Sequence, residues 1–476
     1  MKRIIVVGGG ITGLALAHAL ERADEPCDVT LLEGSAQLGG NVQSVRHNGF
    51  IIDPGPDSWV ATKPHATALA RSLGLGDELI GTRPDTRRVS IVWQRKLHPM
   101  PEGMILGVPT EFRPLIETEL LGWDAKLRAG LDYFVPARTW REDDDETIAS
   151  FVTRRLGSEI YERLAGPLLG GIFAGDPNAL SVRACVPQLV DAEREHGSLV
   201  VAMRALRAKR RKFQIGADSA GPPSAFVSLK RGVGDLVTNV AHRLRDAEVF
   251  TNRPVRAVTP LGEADPRGRW SVATDDGELF ADHVALTLPA NVAGPLVRDF
   301  DPTLAAMCAE LQYASTATIF LAFRKFDVRH PLDSVGFLVP RQEGRPILAC
   351  TFVSSKWDHR APSGQVLLRV FVGGAGNEAI VERDDEELVK LARTQLEDLL
   401  QIDRAPVFAK VFRFRRSSPQ PHLGHLPRMR RLLRQAASHE GLHIGGNGYI
   451  GTGIPDAIRQ GQEIAAQITP LAPLAP

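Results

Sequence analysis

The first residues that could do chemistry are Gly8-Gly9-Gly10-Ile11-Thr12-Gly13, a G-x-G-x-x-G near the start of the chain. Glycines at these spacings suit a phosphate ligand. Gly8 permits a tight turn, Gly10 lets the backbone approach a pyrophosphate, and Gly13 lets the next helix sit close on a sheet. Ile11 and Thr12 open that helix, where free N–H groups and the positive dipole end face an anion. Glu33, twenty residues after Gly13, is placed to accept from a ribose hydroxyl. The elements that must hold these groups are legible on both sides. Residues 2–7 are an apolar, β-branched run that reads as a buried parallel strand, and residues 14–20 are strong helix formers. Residues 28–32 read as a second strand ending on Glu33. Strand, glycine turn, helix, strand and acid together make a dinucleotide-binding unit.

A second set of glycines asks for a second close approach. Glu33-Gly34 is followed by Gly39-Gly40-Asn41, and then by Gly55-Pro56-Asp57-Ser58. An acid followed soon by Gly-Gly is unusual for a simple NAD site. At the other end, residues 441–456 read as a strand followed by glycines that open a helix over 457–468. Gly446, Asn447, Gly453 and Ile454 lie there, at another helix N-terminus able to face an anion. This arrangement resembles the flavoprotein monooxygenase and amine oxidase superfamily. The resemblance implies non-covalent FAD, with the Gly-Gly turn against the flavin end and the C-terminal segment over the pyrophosphate and isoalloxazine. It also implies that the chain near Val255 borders the adenine. Many amine oxidases tether FAD to a cysteine near the C-terminus, and no cysteine follows Cys350.

With 476 residues the chain can hold two or three domains with substantial cores. Lys and Arg number 57 against 56 Asp and Glu, so global charge offers no case for a nucleic-acid partner. The four cysteines (Cys27, Cys185, Cys308, Cys350) are scattered, which fits a reducing compartment and no disulfide or metal motif. His422, His425 and His443 match no metal-ligand spacing, so structural roles are expected and no metal. There is no signal peptide and no run of about 20 apolar residues, so the expected location is cytoplasmic. Peripheral contact with the inner face of a membrane stays open, as does a homodimer.

The expected fold class is α/β: a Rossmann-like FAD-binding domain interrupted by a helical insert and by a mixed-sheet substrate domain. The expected boundaries are FAD-binding parts over 1–88, 225–300 and 413–476, a mainly helical insert over 89–224, and a mixed sheet over 301–412. Residues 89–98 read as a hairpin flap over a ligand. The acidic run 142–146 reads as a solvated turn, and the basic run 204–212 as a solvated helix end or a surface for anionic lipid. Residues 214–224 read as an exposed linker, and 384–400 as an amphipathic helix.

Four blocks carry a more specific resemblance: residues 49–58, the Gly-Gly-Ile-Phe-Ala-Gly-Asp-Pro-Asn-Ala-Leu-Ser segment over 170–181, Ser354-Ser355-Lys356-Trp357-Asp358-His359-Arg360-Ala361-Pro362, and the C-terminal glycine segment with Gly424-His425-Leu426. They are similar to the porphyrinogen oxidases of haem synthesis and span nearly the whole chain. The resemblance implies removal of six electrons from a porphyrinogen in three flavin cycles, with O2 reoxidising the flavin to give H2O2. Ile454-Pro455-Asp456 leans to the bacterial branch acting on coproporphyrinogen III; the branch acting on protoporphyrinogen IX is the alternative. Asn41 and Phe173 depart from residues common among relatives, a basic residue and Tyr. The flavin carries the redox work, so no catalytic side chain is expected, and pyrrole protons can pass to water. The substrate needs a flat, apolar slot with cations at its mouth. Arg95 is the candidate propionate partner; Phe173, Phe352 and Trp357 are candidates for ring contact, and Gly175 for close backbone approach. An amine oxidase or carotenoid desaturase, with Tyr449 framing the flavin, is a second reading, and a redox-inactive flavin scaffold a third.

Overall fold

The structure, a computed structural model, describes residues 1–216, 224–262 and 265–470. Side chains of 210–223 are not described; helix Leu199–Gly216 runs through the cations at 210–212 and the first residues of the expected linker over 214–224, of which 217–223 lie outside the described residues.

Five strands form a parallel sheet in the order Glu248–Phe250, Cys27–Leu32, Lys2–Val7, His283–Leu286 and Leu442–Ile444. The first strand is buried from Ile4 to Val7, as its unbroken apolar run requires. Register aligns the carboxyl ends: Val7 stands opposite Leu32 and Leu286, and Leu286 opposite Ile444. Gly8, Glu33, Thr287 and Gly445 therefore leave the sheet at one edge, where open α/β sheets bind ligands. Helices Ile11–Leu20 and Ile454–Ile468 pack on this sheet. A Cβ at Gly461 would stand 2.4 Å from the Thr12 carbonyl, so glycine sets how closely they meet.

The second layer is a seven-stranded mixed sheet in the order Phe408–Gln420, Gln312–Arg324, Gln365–Gly373, Ile347–Phe352, Gly336–Leu338, Ser90–Trp93 and Lys96–Pro99. The expected hairpin is present, but it is the edge of this sheet and not a free flap, since Ser90–Trp93 pairs in parallel with Gly336–Leu338. Residues 90–99 and 413–420 thus belong to the large sheet by their pairing. Helix Asp385–Leu400 covers one face with Leu388, Ala392, Leu396 and Leu400, and the Asp384 carboxylate caps it by accepting from the Glu387 N–H at 2.8 Å. Phe320, Ala322 and Leu367 on the other face pack with Phe50, Ile52 and Trp357.

The helical insert has its own apolar core, built from helices such as Ile148–Leu156, Gly166–Phe173 and Pro187–His196. Arg155, fully buried, is held there by the Asp132 carboxylate (2.7 Å from Nε) and three backbone carbonyls. The acidic run is more than a solvated turn. Asp145 accepts from the Ser181 hydroxyl (2.8 Å) and the Gly424 N–H (2.9 Å), while Glu146 is buried against Arg154 (3.0 Å). No helix among the described residues is long and apolar enough to cross a membrane.

Candidate active site

At the carboxyl edge of the parallel sheet the glycine segments meet. Gly8 has φ 108°, and a Cβ on Gly13 would lie 2.0 Å from the Gly8 carbonyl oxygen, so helix and turn touch only because both residues are glycine. A Cβ on Gly10 would meet nothing within 4 Å. Gly10 therefore faces open space at the N-terminus of a helix with no side-chain cap and no acid in its first turn. Gly39 donates its N–H to the Gly9 carbonyl at 2.7 Å, and a Cβ on Gly40 would stand 3.6 Å from the Gly10 Cα. The second glycine turn is thus bonded to the first. The Glu33 carboxylate accepts from the Gly9 and Ser35 N–H groups, both at 2.8 Å, so it orders the turn. Gly34 lies beside Pro254, which leads into the strand starting at Val255.

The C-terminal segment closes on the same edge. Gly446 (φ 137°) lies beside Leu288, Thr287 and Thr12, and its N–H donates to Gln460 at 3.2 Å. Asn447 accepts from the N–H of Gly453, which starts helix Ile454–Ile468. Two helix N-termini and two glycine turns converging on one open groove fit an extended dinucleotide carrying a pyrophosphate.

The block at 55–58 lies between this groove and the large sheet. A Cβ on Gly55 would stand 2.1 Å from the Asn41 carbonyl, which puts Gly55 and Pro56 directly behind the Gly-Gly turn. Asp57 faces the large sheet. Its carboxylate accepts from Lys356 Nζ (2.8 Å), Trp357 Nε1 (3.0 Å) and the Ser58 hydroxyl (2.7 Å). Arg369 Nη2 donates to the Pro54 and Gly55 carbonyls, both at 2.6 Å. The buried Arg360 pairs with Asp53 at 3.2 Å. Two blocks some 300 positions apart are therefore one buried polar joint.

A cleft of about 300 Å³ opens between the helical insert and the large sheet. Its walls include Gly170, Gly171, Ala174 and Gly175 on one side, and Val339, Leu348, Gly373 and Gly374 on the other. A π-helical turn, Tyr161–Ala165, precedes helix Gly166–Phe173 and contributes Tyr161. Packing links cleft and groove. A Cβ on Gly448 would meet Pro419 at 2.6 Å, and the neighbouring Gln420 donates to the Phe173 carbonyl at 3.0 Å, beside Gly175.

Of the five substrate-contact candidates, Gly175 lines this cleft. Phe173 is buried in the insert core next to it. Phe352 and Trp357 need correcting. Phe352 packs inside the sheet on Phe337, and Trp357 is fully buried with its N–H on Asp57, so neither has a face left for a ring. Arg95 also needs correcting: it sits at the exposed hairpin turn and pairs with Asp398 at 3.0 Å. The arginine in the cleft is Arg341, on the neighbouring turn Arg341–Glu343. Tyr449 is buried with its hydroxyl on the Leu288 carbonyl at 3.1 Å.

Comparison with known proteins agrees with this geometry. Residues 11–469 match the flavin containing amine oxidoreductase family. The chain is 34% identical over 467 residues to the coproporphyrinogen III oxidase of Bacillus subtilis (strain 168), covering 97% of this chain and 96% of that one. The enzyme of that name from Staphylococcus aureus is 32% identical, with 98% and 99% covered. The chain belongs to the porphyrinogen oxidase family. The protoporphyrinogen oxidase of Bos taurus is 30% identical, with 98% of each chain covered. Among solved structures, an Exiguobacterium sp. 255-15 protein provisionally assigned as a protoporphyrinogen oxidase superposes with a TM-score of 0.85 at 32% identity, covering 98% of each chain. A UDP-galactopyranose mutase shares the fold alone, with a TM-score of 0.70 at 18% identity and 98% and 95% covered. As a porphyrinogen oxidase family member, the chain is a flavin-dependent oxidoreductase of the amine oxidase type. Sequence reading did not single out Arg341 and Tyr161, which line the cleft, or Arg369, which braces the joint behind the Gly-Gly turn. None lies in a glycine motif, and no local signal marks them.

Proposed function

We propose that this protein binds FAD non-covalently and oxidises coproporphyrinogen III to coproporphyrin III, with O2 as electron acceptor. The observation that carries the reading is the contact between groove and cleft through Pro419 and Gln420, which gives a dinucleotide site and a flat, glycine-walled slot a common wall. The choice of coproporphyrinogen III is supported by the names of the relatives at 34% and 32% identity and by Ile454-Pro455-Asp456. Bound flavin supplies the hydride acceptor and passes the electrons to O2, three times per porphyrin and with three H2O2 released.

The chain's part is placement. The turns at residues 8–13 and 39–40 and the N-terminus at Gly453 hold the dinucleotide; Gly171, where an added Cβ would meet only Leu338 at 3.7 Å, lets a planar ring approach the backbone. Burial and the nearby Asp176 push the Tyr161 phenol above its ordinary value, so it stays protonated and serves as a donor, not a base. Anaerobic mixing with coproporphyrinogen III and, separately, protoporphyrinogen IX tests the reading. Flavin bleaching followed by porphyrin fluorescence on admitting air is expected, faster with coproporphyrinogen III. No bleaching with either substrate overturns it.

Peripheral contact with an anionic lipid surface rests on one face of the insert. Trp123 (66% exposed), Leu127, Leu131 and Phe134 (81%) follow helical spacing and lie open to solvent. Lys126 stands 4.9 Å from the Trp123 ring, and Arg204 donates to the Tyr133 hydroxyl at 2.8 Å, which brings the basic helix Leu199–Gly216 alongside. Wild-type protein is expected to sediment with phosphatidylglycerol vesicles and the W123E/L127E variant to stay in solution. Wild-type protein that stays in solution overturns the contact.

A further inference from the structure

Arg341 occupies the joint between the two walls of the cleft. Its Nη2 donates to the Gly175 carbonyl of the helical insert at 3.1 Å and to the Ala375 carbonyl of the large sheet at 3.2 Å. The same joint is closed by the Ala375 N–H on the Ala174 carbonyl at 2.9 Å, with Ala174 held in the left-handed region at φ 47°. Two of the five guanidinium donors are thus engaged by carbonyls. Nε and Nη1 have no hydrogen-bond partner among the described residues, although the Asp176 carboxylate stands 3.6 Å from Nη1. The side chain is about half exposed and lines the cleft.

A carbonyl-anchored guanidinium with free donors at the edge of an apolar slot is a receptor for a carboxylate. Glu162 also lines the cleft and Asp176 borders it, so removing Arg341 leaves carboxylates that repel an anionic arm. We infer that Arg341 binds a propionate of the tetrapyrrole, with the ring edge against the glycine wall at Gly171. It is then a specificity-determining residue, selecting carboxylated tetrapyrroles over esterified or uncharged ones. The inference rests on the porphyrinogen oxidase reading above.

The test uses FAD-loaded wild type, R341K and R341Q, titrated with coproporphyrin III and with its tetramethyl ester, following porphyrin fluorescence. Wild type should bind the acid more tightly than the ester. R341Q should weaken the acid by about tenfold or more, the scale of a lost charge-assisted hydrogen bond, while changing the ester by less than about twofold. R341K, which keeps the charge but not the fork, should lose about threefold for the acid. It carries the test if R341Q does not load FAD. Unchanged acid affinity in R341Q overturns the inference. So does equal weakening of acid and ester, which would leave Arg341 only a clamp between the walls. The parallel turnover assay separates the two readings. Wild type that oxidises no porphyrinogen overturns the activity and this inference with it. Wild type that turns over while R341Q keeps its KM for coproporphyrinogen III overturns the inference alone.

Discussion

Asp57 lies in a contest between burial and charge. Burial alone would raise its carboxyl. The Lys356 and Arg369 charges, with hydrogen bonds from Lys356 and Trp357, outweigh burial and hold it well below the usual carboxylate range. A group depressed in the folded state stabilises above its unfolded pKa of about 4, and that stability is lost as pH falls through and below that value. D57N leaves Lys356 without its partner, so a loss of about 3 kcal/mol in urea unfolding is expected at pH 7, with a shallower decline below pH 4 than wild type. Gly10 and Gly13 separate fold from ligand. A Cβ has open space at Gly10 and none at Gly13. G10L should therefore fold, by circular dichroism, yet retain no flavin absorbance after purification. G13A should lose thermal stability even without FAD. Sequence reading placed both Asp57 and Trp357 in a site, but not against each other, because the joint is made by residues 300 positions apart.

At the scale of elements, the segment that closes over the cofactor groove rests on neutral histidines. His425 opens helix His425–Ala437, is buried, and lies 3.3 Å from the Tyr449 carbonyl; burial pushes its pKa down to about 4. His443, on strand Leu442–Ile444, is likewise lowered by burial to about 4 and stands 3.2 Å from His283. A histidine depressed in the fold leaves the unfolded chain binding more protons below about pH 6.5, so stability is full above that pH and falls as pH drops from about 6.5 towards 4. Urea midpoints measured across this window should decline in wild type and decline less in H443Q. The period-2 and period-3.6 patterns that marked the strands and the helix over 384–400 are local properties, which is why they could be read. The hairpin at 90–99 could be recognised as a hairpin too, but its place at the sheet edge depends on pairing with Gly336–Leu338, some 240 positions away.

For the whole molecule, cofactor binding and stability are linked. The groove draws on both ends of the chain, so FAD bound to the folded state should raise its stability by about 2.7 kcal/mol at a concentration of 100 Kd. Scanning fluorimetry of the flavin-free protein should show a rise in melting temperature with added FAD, and none for G10L.

The cofactor half of this protein was written locally. Gly8 to Gly13, Glu33, Gly39-Gly40 and the glycines from Gly446 to Gly453 announce their roles by spacing, because a positive φ and a close backbone approach leave few alternatives to glycine. Sequence alone therefore determined that these glycine turns gather at the carboxyl edge of a parallel sheet. Tertiary structure alone decided which cation lines the cleft between insert and large sheet. Arg95 and Arg341 leave adjacent turns, bridged where Glu343 accepts from the Gln94 and Arg95 N–H groups. Arg95 goes to Asp398 on the covering helix, and Arg341 to Gly175 on the insert. Nothing in the residues beside either arginine distinguishes them. Their partners lie 303 and 166 positions away, and only the packing of insert, sheet and helix sets which guanidinium keeps donors free in the cleft.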